Sequence, residues 1–109
     1  MKNLITLFLL FIIVGLKAQT YEVNLPYMVI EEVLVEKKLV LKIDLEKGFI
    51  GREIYSDKIA DYSYFKHEEE IVGLQIELFG PITWTFVINK GVITQAELLY
   101  NNEITVWTR

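Results

Sequence analysis

Residues 72–109 read VGLQIELFGPITWTFVINKGVITQAELLYNNEITVWTR, and the alternation in this stretch decides the fold. Val72, Leu74, Ile76 and Leu78 alternate with Gly73, Gln75 and Glu77. After Gly80-Pro81, Ile82, Trp84, Phe86 and Ile88 alternate with Thr83, Thr85 and Val87. Val92, Thr94, Ala96, Leu98 and Tyr100 follow Asn89-Lys90-Gly91, and Thr105 and Trp107 follow Asn101-Asn102. A period of two is the mark of a strand with one buried face.

The turns test the faces, because a one-residue slip would turn every side chain over. A three-residue loop at Phe79-Gly80-Pro81 pairs Ile76 with Trp84. A three-residue loop at Asn89-Lys90-Gly91, with Gly91 at positive φ, pairs Ile88 with Val92 and Trp84 with Ala96. A two-residue Asn101-Asn102 turn suits a type I′ hairpin and sets Trp107 against Ala96. Loop chemistry and apolar pattern therefore agree on a four-strand antiparallel meander.

Upstream, Leu39, Leu41, Ile43 and Leu45 continue the alternation. A two-residue Lys47-Gly48 turn pairs Leu45 with Ile50, Leu41 with Ile54 and Lys42 with Glu53 on the outer face. It leaves Arg52 on the inner face opposite Ile43, a misfit unless that residue reaches water at a sheet edge. Tyr27 to Val35 is a further β-branched run, and Glu31-Glu32 interrupts it in the manner of a bulge. Ser56 can cap a short helical turn over 57–66 that carries Ile59, Tyr62 and Phe65. The expectation is an all-β antiparallel up-and-down meander of about seven strands, curled into a small barrel or a two-layer sandwich.

The first residues carry a different signal. Met1-Lys2-Asn3 is basic, Leu4 to Leu16 is apolar apart from Thr6 and Gly15, and Ala18 supplies a small residue at the expected cut. These are the three parts of a Sec-type signal peptide, and the run is short of the ~20 residues of a membrane span. Residues 1–18 are expected to be cleaved, leaving 19–109 as a single β domain in the periplasm or outside the cell. Losing 18 of 109 residues removes Lys2 and Lys17, so nine bases face fifteen acids and the charge becomes −6. An acidic balance disfavours nucleic acid and anionic membrane as partners. With no cysteine there is neither a lipoprotein anchor nor a disulfide, so no stable membrane anchor is expected.

Motifs for chemistry are sparse. His67 is the only histidine, and Ser56 and Ser63 are the only serines, with no strand–turn–helix elbow around either. His67-Glu68-Glu69-Glu70 has no second histidine, and consecutive strand residues point to alternate faces, so a solvated charge run is expected rather than a metal site. The six glycines stand singly, and none forms a phosphate loop. No catalysis, cofactor or metal is expected. The glycine–aromatic opening motif and disulfides of lipocalin-like barrels are missing, and no other family's motif is present.

Aromatic residues remain. Trp84, Phe86 and Trp107 line the expected inner face, and Tyr62, Tyr64 and Phe65 cluster in the expected helical lid. Together they could wall and cover a site for a small apolar ligand. The same residues could equally be packing, since a small barrel's interior is normally filled by side chains. The other reading is a protein-interaction module (inhibitor, immunity-type or envelope-assembly partner) that uses a strand edge. Glu103 to Arg109 is the expected edge, with Ile104, Thr105 and Val106 as contacts.

Overall fold

The computed structural model describes residues 20–52 and 55–109. The expected export signal lies outside the described residues, as does Ile54, the expected partner of Leu41. Eight antiparallel strands follow one another in chain order: β1 Thr20–Ile30, β2 Val33–Asp44, β3 Phe49–Arg52, β4 Tyr55–His67, β5 Glu70–Leu78, β6 Ile82–Asn89, β7 Val92–Tyr100 and β8 Glu103–Thr108. Each pairs with the next, and β8 returns to β1, closing a barrel. Of the two architectures open to such a meander, closure is the one that removes its outer edges.

The inward face is continuous around most of the ring. Tyr64 faces Leu74, Leu74 faces Phe86, Phe86 faces Ala96, Ala96 faces Trp107 and Trp107 faces Met28. Ala96, fully buried, is the small residue that lets Phe86 and Trp107 flank it. The Ile76–Trp84 and Ala96–Trp107 pairs stand as the turn chemistry expects. Asn101 and Asn102 both take positive φ, the type I′ geometry.

Four local expectations are corrected. Glu31-Glu32 is not a bulge within one strand but the two-residue turn between β1 and β2, with φ of 48° and 67°. Val33–Val35 thereby joins the run at Leu39 in a single strand, β2. The irregularity lies instead at Pro26, which has no N–H for the ladder: the register slips between Leu25 and Tyr27. The inward positions accordingly move from Val23 and Leu25 to Met28.

The helical turn expected over 57–66 is part of β4. The register slips between Ile59 and Asp61, leaving Ala60 unpaired. One extra residue puts Ile59 and Tyr62 on the same face, three apart, which imitates a helical spacing.

The loop after β6 is two residues, Lys90-Gly91, with φ of 51° and 79°. A slip at Thr94 then pairs Ile88 with Ile93, Phe86 with Ala96 and Trp84 with Leu98. Ile93 is buried in place of Val92, because the extra residue reverses the faces before Ala96.

The β2–β3 connection is four residues rather than two. The Gly48 N–H donates to the Asp44 carbonyl (2.8 Å) and the Lys47 N–H to Asp44 Oδ1 (3.0 Å). Ile50 therefore faces Ile43 and Lys42 faces Gly51, so the expected Leu45–Ile50 and Lys42–Glu53 pairs do not form. The shift puts Ile50, and not Arg52, opposite Ile43.

A second glutamate pair, Glu68-Glu69, makes the β4–β5 turn with φ of 51° and 70°. Left-handed backbone costs an L-residue with a Cβ roughly 1–2 kcal/mol, and Asn-Gly is the pair that avoids this. Replacing Glu68-Glu69 with Asn-Gly should raise the unfolding free energy by about 1–2 kcal/mol, read from the urea midpoint at constant slope. An unchanged midpoint would show that the turn is not strained.

Candidate functional site

β3 is four residues long and stands between strands of twelve and thirteen. It meets β2 only over Lys42–Asp44 and β4 only over Tyr55–Lys58. The two long neighbours therefore overshoot it, β2 at one end of the barrel and β4 at the other. Among the described residues no strand lies along Val33–Lys38 on the side away from β1, nor along Asp61–His67 on the side away from β5.

These two open edges differ. On β4 the Asp61 carboxylate turns back and accepts the Tyr62 N–H at 2.8 Å, so one donor of that edge is met within the strand. The unpaired Ala60 next to it kinks the strand, the usual way of blunting an edge. On β2 the slip at Pro26 and the charges of Lys37 and Lys38 guard only the lower part. Above them, Ile30 and Val33 close the two-residue turn as a hydrogen-bonded pair. By alternation, Leu34 and Glu36 then direct their N–H and C=O groups away from β1. No described side chain caps them. Val33 and Leu34, 61% and 55% exposed, flank this edge.

The outer face beside it is aliphatic. Val29 faces Leu34 on one side and Val106 on the other. Leu99 faces Ile104, which lies two residues from Val106 and on the same face. Lower on β2, an open groove of about 670 Å³ is lined by Val40, Lys42 and Asp44 together with Thr20, Glu22, Phe49 and Gly51. Gly51 opposite Lys42 leaves the hollow, and half-exposed Val40 and Phe49 flank it.

The six expected ligand residues do not form one pocket. Trp84, Phe86 and Trp107 do come together, as a buried stack with ring centroids 5.6 and 5.7 Å apart. The cavity that reaches this stack, between Leu41, Ile50, Leu78, Ile82 and Leu98, is about 160 Å³. Ligand pockets start at roughly 300 Å³. Tyr62 and Tyr64 form a separate edge-to-face pair, 6.0 Å apart. Phe65 faces the other way and lies on Gly73, where an added Cβ would come within 2.9 Å of its ring.

The expected contacts on the last strand divide as well. Ile104 and Val106 face outward, while Thr105 lies opposite Leu98, which packs on the core. The last strand is not a free edge over Val106–Thr108, because β1 pairs there. Sequence reasoning missed Val29, Leu34 and Leu99. Had Glu31-Glu32 been taken as a turn, Val29 would have been placed against Leu34. His67 Nε2 lies 4.0 Å from Glu68, both well exposed, and no metal-binding group of three side chains occurs among the described residues.

Tyr21, also unmarked by the sequence, shares a hydrogen bond with Tyr64, their hydroxyls 3.4 Å apart. Burial raises the Tyr64 phenol well above its ordinary value, and the Tyr21 hydrogen bond and the charges of Tyr21 and Tyr62 push the same way.

No family model, curated protein or solved structure matches the chain, so its function must be argued from these residues.

The folded state holds the Tyr64 proton more tightly than the unfolded chain does. Its stabilising contribution is complete below the ordinary value of 10.0 and is lost as pH rises towards the folded value. Unfolding midpoints between pH 9 and 11.5 should fall more steeply for the unaltered protein than for Tyr64→Phe. Parallel curves would remove Tyr64 as the cause.

Proposed function

We propose that this protein is an exported, non-enzymatic binding module that captures an extended segment of another protein by adding it as a strand to β2. The observation that carries the reading is the uncapped edge at Leu34 and Glu36, where β4 by contrast has the Tyr62 N–H taken by Asp61 and a register slip at Ala60. In strand addition, main-chain hydrogen bonds supply affinity and flanking side chains select the partner. Two further features favour β2: the aliphatic face beside Leu34 and the groove at Val40–Asp44. Enclosure of a small apolar ligand has less support, since the aromatic stack fills the interior and the cavity at it is small. The export address rests on residues 1–18 and their signal-peptide pattern.

Immobilised protein should retain one stoichiometric partner from an envelope extract. In the complex, amide exchange at Leu34 and Glu36 should slow, while Val33 and Val35, already paired to β1, change little. Leu34→Pro, which removes an outward N–H from the edge, should abolish retention. A partner still held by Leu34→Pro, or one that leaves both amides unprotected, would overturn the proposal. Native mass spectrometry showing a co-eluting lipid inside the barrel would favour the enclosed-ligand alternative.

A further inference from the structure

Two rows of side chains on the outer surface of the barrel are two-sided. One row around it runs Leu34, Val29, Val106 and then Glu97, Thr85, Gln75 and Ser63, each facing the next across a strand pair. The row above runs Ile104, Leu99 and then Thr83, Glu77 and Asp61. The first turns from aliphatic to polar at Glu97 on β7, the second one strand later at Thr83 on β6. The aliphatic part crosses four strands, β2, β1, β8 and β7, and so spans three strand spacings, roughly 14 Å. Isolated exposed apolar side chains are ordinary on a protein surface, but a contiguous patch marks an interaction site.

Its border is acidic. Glu31 and Glu32 stand in the turn above Leu34, Glu36 follows it two residues on, Glu97 faces Val106 and Glu103 precedes Ile104. The nearest bases are Lys37, Lys38 and Arg109, which lie past the lower border. Charges at the rim of an apolar patch choose the partner and speed its arrival more than they add affinity. A second copy of this chain, with net charge −4 over its full length, would bring carboxylates against carboxylates.

Resting on the strand-addition reading, we infer that the partner segment is basic and aliphatic. Its aliphatic side chains would continue the row beyond Leu34 towards Val29 and Val106, and lysines or arginines at its ends would meet the glutamates.

Three peptides test this on the full-length protein: acetyl-KKVTVTVKK-amide, its charge-reversed counterpart acetyl-EEVTVTVEE-amide, and acetyl-KKSTSTSKK-amide. Titrations followed by amide shifts at low salt should show the lysine–valine peptide binding at least about ten-fold tighter than the other two. The advantage over the glutamate peptide should shrink as salt screens the rim. The exposed-residue variant Leu34→Ser/Ile104→Ser should weaken it about ten-fold, and Glu31→Lys/Glu103→Lys should reverse the charge preference.

Equal binding of the lysine and glutamate peptides, with Leu34 and Glu36 amides protected in both, would overturn the charge assignment and leave strand addition standing. Binding of neither would overturn both. Sedimentation showing a dimer that Ile104→Ser dissociates would assign the patch to a second copy and overturn the inference.

Discussion

Ile50 lies opposite Ile43 on β2 and opposite Asp57 on β4, and through such pairs the four residues of β3 join two long hairpins into one wall. The β1–β2 and β4–β5 hairpins each have an apolar face that neither can bury alone, since a two-stranded hairpin is at best marginal in water. With β3 in place they become parts of a ring, and Val23, Leu41, Ile50, Leu74 and Trp84 are packed into one core. Besides its ladder, the junction has the Ile59 N–H donating to the Gly48 carbonyl at 2.8 Å. Gly48 thus accepts from β4 while its own N–H donates to Asp44.

The same brevity makes the surface. A full-length third strand would have covered both β2 and β4, and the barrel would have shown no usable edge. Because β3 stops after four residues, each neighbour has a length of backbone that must be satisfied by water, by a side chain or by another chain. On β4 Asp61 answers for the Tyr62 N–H. On β2 charges guard the lower part and the upper part is left to water. Closure and recognition therefore share one cause, and lengthening β3 would strengthen the first at the expense of the second.

Much of the fold was legible because some turns are written in residues with strong backbone preferences. Asn101-Asn102 and Gly80-Pro81 placed Trp107 on Ala96 and Ile76 on Trp84. The glutamate turns were illegible for the opposite reason, since nothing in Glu31-Glu32 or Glu68-Glu69 favours positive φ. The slips at Ala60 and Thr94 were silent too, because an extra residue changes the face of its neighbours without leaving a composition of its own. Hence Ile104 and Val106 could be marked from the sequence as contacts, whereas the surface they share with Val29 and Leu34 could not. The open edge depended on the length of β3, which no alternation pattern announces.

The pairing of Val29 with Val106 has a consequence for how the chain reaches this state. Every other strand pair joins sequence neighbours and can zip locally, but this one joins residues 77 positions apart and bears the largest loop-closure entropy in the barrel. Until it forms, the meander is an open sheet with a bare apolar face and two outermost strands. β1 and β8 are those outermost strands, so the free edges of the sheet disappear only when this seam closes.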